Sequence, residues 1–484
     1  MAQRPNILMI MTDQHSPHIS GFGGNEVVNT RALDGLASQS ICFDAAYCQT
    51  PLCVPCRMSV LTGKWSSNCS AWDNSSIIFP EHTTLPGWLS EHGYETGLVG
   101  KMHFSGTEQM HGFQHRPYGD LVKSRFPSHQ PDPPETSDGR WNNHAVGRFP
   151  FAGPTAIPES LLMDAVVTTE SLSWLLEFVD TNPDSPWFFS ASYPRPHFPL
   201  TAPGRYFRRY LNRNLEMPEL PPGYPDSLHP HDKFIVDDFN LVKFSEEEQV
   251  RALAGYYACV DFVDDCIGNL LEGLQRAGCL DNTYVVYVSD HGDMAGEHGL
   301  WWKRTYYEAS ARVPFLVSGP GISAGSTCAT PVELVDLFPT FCDWAEIETP
   351  EGLDGESLVP LLEGKERKKR IARSELLGEK EETQFRMVRD ERWKYVEFPS
   401  SPPRLFDMIE DPDETQDLIQ DSSCEAPIEM FSKTLAETGT FESLSERRTL
   451  DRERAGRAPV VGEGAVQYRL VDGRVVDGDG MLYQ

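Results

Sequence analysis

Residues 284–291, Tyr-Val-Val-Tyr-Val-Ser-Asp-His, run from an uncharged apolar stretch straight into an acid and an imidazole. Residues 6–14, Asn-Ile-Leu-Met-Ile-Met-Thr-Asp-Gln, repeat the pattern with an acid and an amide. Short continuous apolar runs bounded by polar residues fit strands buried on both faces of a largely parallel sheet. Similar runs lie at 96–99, 187–192 and 314–318, and between them segments 161–179 and 246–275 have helical spacing. In the second segment Leu253, Tyr256, Tyr257, Val260, Val263, Ile267 and Leu271 recur three to four apart, the stripe of a helix packed on a core. Alternating helices and strands predict an α/β sandwich around a large, mostly parallel central sheet.

In a parallel sheet the two strand ends emerge on one edge, so Asp13-Gln14 and Asp290-His291 converge there. Two carboxylates, an amide oxygen and an imidazole suit one divalent cation. The competing reading, in which each Asp only caps a following helix, applies to either pair alone. Two pairs on one edge bring the metal reading level with it.

The chain has 484 residues, with 72 acidic and 42 basic side chains and a net charge of −30. That charge excludes nucleic acid or anionic lipid as a partner of the bulk surface, and an anionic substrate needs a local basic pocket. No apolar run approaches the ~18 residues of a spanning helix, so no membrane association is expected. The first apolar stretch, Ile7 to Met11, is too short for a secretory leader, which predicts a cytoplasmic protein. Eleven cysteines, an odd and irregularly spaced set, predict reduced thiols rather than a disulfide framework.

Regions 105–155 and 194–235 are rich in turn-forming residues and are expected to be long loops over the carboxyl edge of the sheet, where α/β sites are built. After Pro360 the texture changes to a charge run and then shorter two-sided strands near 385–388, 393–398 and 404–407. The expected division is a catalytic domain over 1–368 and a smaller C-terminal α+β subdomain with an antiparallel sheet over 369–484.

The most informative motif is Cys53-Val54-Pro55-Cys56-Arg57-Met58-Ser59-Val60-Leu61-Thr62-Gly63. As a plain C-x-x-C it could be a thiol redox pair or half a zinc site, giving a noncatalytic or redox protein. A zinc site wants a second pair of soft ligands at similar spacing, and none follows. The pattern instead resembles the signature of the type I sulfatases, Cys-x-Pro-x-Arg with a Leu-Thr-Gly ending, in which the first Cys is oxidised to formylglycine. Only Cys53 has Pro at plus two and Arg at plus four.

The likeness extends over roughly 4–365, with a further Leu-Phe-Asp-Met and Asp-Pro-Asp-Glu stretch at 405–414. It resembles most the choline-sulfatase and phosphonate monoester hydrolase branches, through Trp72-Asp73-Asn74, Lys101-Met102-His103-Phe104 and Asp290-His291-Gly292-Asp293-Met294. Cys56, where Ser is more usual, and the tail after about 430 depart from the choline-sulfatase pattern. The resemblance implies an alkaline-phosphatase-like fold and a divalent cation held by Asp13, Gln14, Asp290, His291 and the modified Cys53. Oxygen ligands favour Ca²⁺, and the imidazole admits Mn²⁺ or Mg²⁺.

The implied catalytic set is Cys53, Arg57, Lys101, His103, His197, Asp290 and Lys303. Arg57 and Lys101 would hold the aldehyde hydrate, and His103 would take its second proton. His197 and Lys303 would bind sulfate and protonate the leaving group, their positive charges building the basic pocket. Trp72, Asp73 and Asn74 would contact substrate, an aromatic face and a carboxylate being suited to a quaternary ammonium. The implied partners are a small anionic sulfate ester and a formylglycine-generating, sulfatase-maturing enzyme. Related branches tend to assemble, which leaves a homo-oligomer open. A phosphonate monoester or phosphodiester hydrolase is the rival within the fold, because the same groups stabilise a transferring phosphoryl group.

Overall fold

A computed structural model describes residues 4–105, 108–118, 149, 152–213, 215–367, 371–378, 380–456, 467–469 and 475–477. Its centre is an eight-stranded sheet in the order Ser326–Cys328, Ile41–Phe43, Phe315–Ser318, Thr283–Ser289, Asn6–Asp13, Trp187–Pro196, Glu95–Gly100 and His115–Tyr118. Only Phe315–Ser318 runs against its neighbours. The central strand Asn6–Asp13 is paired in parallel on both sides.

That strand is apolar throughout because each face meets a different core. Leu8 and Ile10 pack with Trp174 and Leu175 of the helix Met163–Thr181 and with Val260 and Ile267 of the helix Glu246–Arg276. Ile7, Met9 and Met11 face the other way, toward Val60 and Leu61 of Cys53–Thr62 and Phe338 and Phe341 of Leu337–Trp344. The period of two along a strand makes this division, and each fully buried aliphatic side chain contributes roughly 1.5–3 kcal/mol. The helix Glu246–Arg276 begins at a capping box in which Ser245 and Glu248 satisfy each other's backbone N–H groups.

The expected loop at 194–235 is corrected. The strand Trp187–Pro196 continues into it, and the helices Gly204–Leu211 and Pro230–Asp238 follow. Their apolar anchors, Tyr206, Phe207 and Tyr210 in one and Ile235 and Val236 in the other, are buried, but turn-forming residues around them hide the helical period. In the other expected loop, 119–148 lies outside the described residues, and His115–Tyr118 and Gly153–Thr155 are strands.

Toward the C-terminus Ala372–Leu376, Phe385–Arg389, Trp393–Glu397 and Arg404–Asp407 form a four-stranded antiparallel sheet. Leu376, Phe385, Met387, Val396 and Phe406 on one face join the main core. Val388, Tyr395 and Leu405 on the other meet Phe431 and Leu435 of the helix Glu425–Ala436. The expected boundary at 368/369 lies outside the described residues, as does most of the tail after 456. Among the described residues no helix is long and apolar enough to cross a membrane, and all eleven cysteines are free thiols.

Gly100 ends the strand Glu95–Gly100 at φ +96°, where a Cβ would stand 2.0 Å from the carbonyl oxygen of Ser192. That same carbonyl accepts the backbone N–H of Lys101 at 2.9 Å. Gly100→Ala is therefore expected to cost about 2–4 kcal/mol, read as a lower urea midpoint. An unchanged midpoint would contradict this account of the strand end.

Candidate active site

The register of the sheet sets the site. Thr12 lies opposite Ser289, so Asp13 and Asp290 leave adjacent parallel strands together, and Asp13 pairs with Pro196 on its other side. Gly100 pairs with Ser192, which brings Lys101 to the same edge. The carboxyl ends of four strands thus deliver Asp13, Asp290, Lys101 and His197, as expected for an α/β sheet.

The helix Cys53–Thr62 points its first residue at this edge, and every one of its residues is buried. Arg57, one turn after Cys53, donates from Nε to Asp290 Oδ2 at 2.8 Å and from Nη2 to Asp13 Oδ2 at 3.0 Å. Its Nη1 donates to the carbonyl of Lys101 at 2.5 Å and to Ser192 Oγ at 2.9 Å. Lys101 Nζ lies 2.5 Å from Asp13 Oδ2 and 3.9 Å from Cys53 Sγ. Lys303 Nζ is closer to the sulfur, at 3.0 Å, and also donates to Gln14 Oε1 at 2.8 Å.

Asp13, Cys53, Asp290 and His291 each offer an atom such that all four lie within 4.8 Å of one another. His291 Nδ1 lies 3.0 Å from the carbonyl of Gly292. A carbonyl can only accept, so Nδ1 carries the proton and the Nε2 lone pair faces Cys53 Sγ at 3.4 Å. A backbone acceptor that fixes the tautomer is the usual support for a metal-ligating imidazole. Two carboxylates with a presented imidazole fit a hard or borderline divalent cation.

The electrostatics favour negative charge at position 53. Burial pushes the Cys53 thiol up, but the Lys101 and Lys303 ammonium groups, with a hydrogen bond from His103, take it well below its ordinary range. Burial and Cys53 likewise push Asp13 up, and the Lys101 and Arg57 charges outweigh them and hold it down. Asp290 is raised by burial, against the opposing pull of Arg57.

His197 departs from expectation. Burial, then Lys303 and Lys101, press it down to about 3, so its ring is neutral at physiological pH. Its Nδ1 donates to the carbonyl of Phe198 at 2.8 Å, and Nε2 is 3.9 Å from Asp13 Oδ1. The positive charge of this pocket thus comes from Arg57, Lys101 and Lys303.

The structure brings together Asp13, Gln14, Cys53, Arg57, Lys101, His103, His197, Asp290, His291 and Lys303. The three expected substrate contacts divide. Asn74 Oδ1 accepts the backbone N–H of Val54 at 3.1 Å, beside the start of the Cys53 helix. Trp72 is 3% exposed, its indole N–H bonded to Asp451 and its ring beneath the Arg447 guanidinium. Asp73 bonds Ser75 and Arg452. Both are held by the helix Phe441–Gly456, which covers the aromatic face of Trp72 and gives that residue a core position.

Two supporting residues were not identified from sequence. Asp293 accepts Gln14 Nε2 at 2.5 Å and the backbone N–H groups of Ala295 and Trp302, fixing the Gln14 amide so that its oxygen faces Lys303. An acid three residues after Asp290 was the available signal. Ser192, the acceptor of Arg57, sits in an apolar strand with no sequence signal.

A family model described as Sulfatase matches residues 5–347, and one described as N-sulphoglucosamine sulphohydrolase, C-terminal, matches 296–440. The chain belongs to the sulfatase family and is a sulfuric ester hydrolase of alkaline-phosphatase-like fold. It is similar to a choline-sulfatase of Rhizobium meliloti (strain 1021), 34% identical over 428 residues, 86% of this chain and 83% of that protein. An arylsulfatase of Clostridium perfringens (strain 13 / Type A) is 30% identical over 460 residues, 89% of this chain and 94% of that one. Among solved structures, a phosphonate monoester hydrolase from Silicibacter pomeroyi shares the fold with a TM-score of 0.77 at 23% identity, over 98% and 99% of the two chains.

Removing Arg57 leaves Asp13 and Asp290 buried side by side without their shared cation. Arg57→Ala is expected to lose about 3–5 kcal/mol in thermal unfolding with chelator present. A loss below about 1 kcal/mol, the scale of an exposed pair, would show that the bridge contributes little.

Proposed function

We propose that this enzyme hydrolyses the sulfate monoester of a small organic molecule through a formylglycine made from Cys53 by a maturing enzyme. A Ca²⁺ ion would be held by Asp13, Gln14, Asp290, His291 and residue 53. The observation that carries this reading is the convergence of two strand-end carboxylates, an imidazole and residue 53 within 4.8 Å. The Gln14 amide oxygen lies beside them on Lys303.

The hydrated aldehyde supplies two hydroxyls on one carbon, one to attack sulfur and one whose deprotonation lets sulfate leave without hydrolysis of a stable ester. When bound by these residues, the cation would supply positive charge to the anionic ester and acidity to the attacking group. Arg57 favours the ionised form of both acids and aims them at residue 53, and Lys101 adds positive charge beside Asp13. His103, which hydrogen-bonds the residue 53 side chain, is the acceptor for the proton of the second hydroxyl. Lys303, whose Nζ stands 3.0 Å from Sγ, binds the sulfate beside the nucleophile and donates the proton to the leaving oxygen. His197, neutral and fixed through Nδ1, orients the group beside Asp13.

Matured wild-type enzyme is expected to release product from an aryl sulfate in preference to an aryl phosphonate ester. Cys53→Ala and Asp290→Ala are expected to abolish turnover, and Lys303→Ala to lower kcat by roughly 10²–10⁴-fold. Chelation should remove activity and Ca²⁺ restore it. A large phosphonate preference would replace the sulfatase reading with that of a phosphonate hydrolase, and full activity in Cys53→Ala would overturn the mechanism.

A further inference from the structure

The Gln14 side chain sits between two groups of opposite hydrogen-bonding sense. Its backbone is pinned first: the N–H donates to Asp290 Oδ1 at 3.0 Å, and the carbonyl accepts the Tyr256 phenol O–H at 2.6 Å. Only the amide is then left to turn, and a half-turn exchanges its oxygen for its nitrogen. On one side the Lys303 ammonium, which can only donate, meets Oε1 at 2.8 Å. On the other the Asp293 carboxylate accepts from Nε2 on Oδ2 at 2.5 Å. Gln14 and Asp293 are 0% and 1% exposed, so a turned amide would set donor against donor inside the protein.

Asp293 divides its two oxygens between two tasks. Oδ1 accepts the backbone N–H groups of Ala295 at 2.8 Å and Trp302 at 3.0 Å, and the Met294 N–H closes on the Trp302 carbonyl at 2.6 Å. This closure sets the backbone that leads into Lys303, where Trp302 is held at φ +66°. Oδ2 sets the amide, and the amide oxygen in turn sets the Lys303 ammonium, whose Nζ stands 3.0 Å from Cys53 Sγ. One buried carboxylate thus governs Lys303 through both its backbone and its head group. Hydrogen bonds that run in sequence from residue 53 through Lys303 and Gln14 to Asp293 polarise one another.

Resting on the sulfate-ester reading above, in which Lys303 protonates the leaving oxygen, we propose that Asp293 is the positioning residue for that step. It fixes the polarity of the Gln14 amide, so that an oxygen and not an N–H₂ faces Lys303 and the cation ligands. Asp293 acts through Gln14 and the Trp302 backbone rather than on the substrate.

The test exchanges the two ends of the contact. Asp293→Asn keeps an oxygen for Ala295 and Trp302 but turns an N–H₂ toward Gln14, so the amide must flip and present its own N–H₂ to Lys303. Adding Gln14→Glu puts an acceptor back on both sides at the same total charge. On phenyl sulfate, matured Asp293→Asn is expected to lose roughly 10–100-fold in kcat/KM. The loss on nitrophenyl sulfate should be smaller, because its leaving oxygen needs a proton less. Calorimetric titration with Ca²⁺ should show affinity reduced by roughly the same 10–100-fold, and the double variant should recover most of both losses. A carboxylate that only supported the fold would lower the two esters alike and gain nothing from Gln14→Glu. A double variant no better than Asp293→Asn, an equal loss on the two esters, or unchanged Ca²⁺ affinity in Asp293→Asn would overturn this inference, while wild-type turnover of either ester upholds the sulfatase reading. Should Asp293→Asn alone fail to fold, the double variant must still fold and turn over, and its failure would also overturn the inference. A matured wild type that hydrolyses neither ester would overturn both.

Discussion

Two buried carboxylates on adjacent parallel strands repel each other, and the site depends on the one guanidinium that answers both. Arg57 bridges Asp290 and Asp13 from a single side chain while its remaining nitrogen ties down the Lys101 carbonyl and Ser192. Arg57 is four residues from Cys53, so both lie on one face of the helix Cys53–Thr62. The contact that neutralises the acids also fixes where residue 53 stands. Every residue of that helix is buried, so packing on all sides holds both groups in register.

A second constraint is charge. A chain of net charge −30 that handles sulfate esters has to concentrate positive charge where the reaction occurs. Arg57, Lys101 and Lys303 do so in the site, each paired to a nearby acceptor, while His197 stays neutral because burial and the lysines oppose its protonation. The same neighbours stabilise an anion at position 53, whether sulfur or oxygen carries it.

The parts legible in the sequence were those with strong local patterns. The strands ending at Asp13 and Asp290 declared themselves by apolar runs buried on two faces, and the helix Glu246–Arg276 by its stripe. Cys53 and Arg57 were legible through spacing that resembles a known signature, and Lys101, His103 and Lys303 only through that resemblance. The helices Gly204–Leu211 and Pro230–Asp238 were not legible, because each is two turns long amid turn-forming residues. Ser192 and Asp293 act by holding other side chains, a role with no composition or period. For Trp72 the sequence leaves a substrate contact and a core position equally open, because its covering partner, Arg447, is distant in sequence and only tertiary packing closes its face.

The most direct measurement is peptide-level chemistry at residue 53 in active enzyme, using an aldehyde-reactive probe alongside a thiol alkylator. The account predicts aldehyde labelling in proportion to turnover, with little thiol at that position. Quantitative alkylation of Cys53 as a thiol, in protein that retains full sulfate-ester turnover, would contradict it.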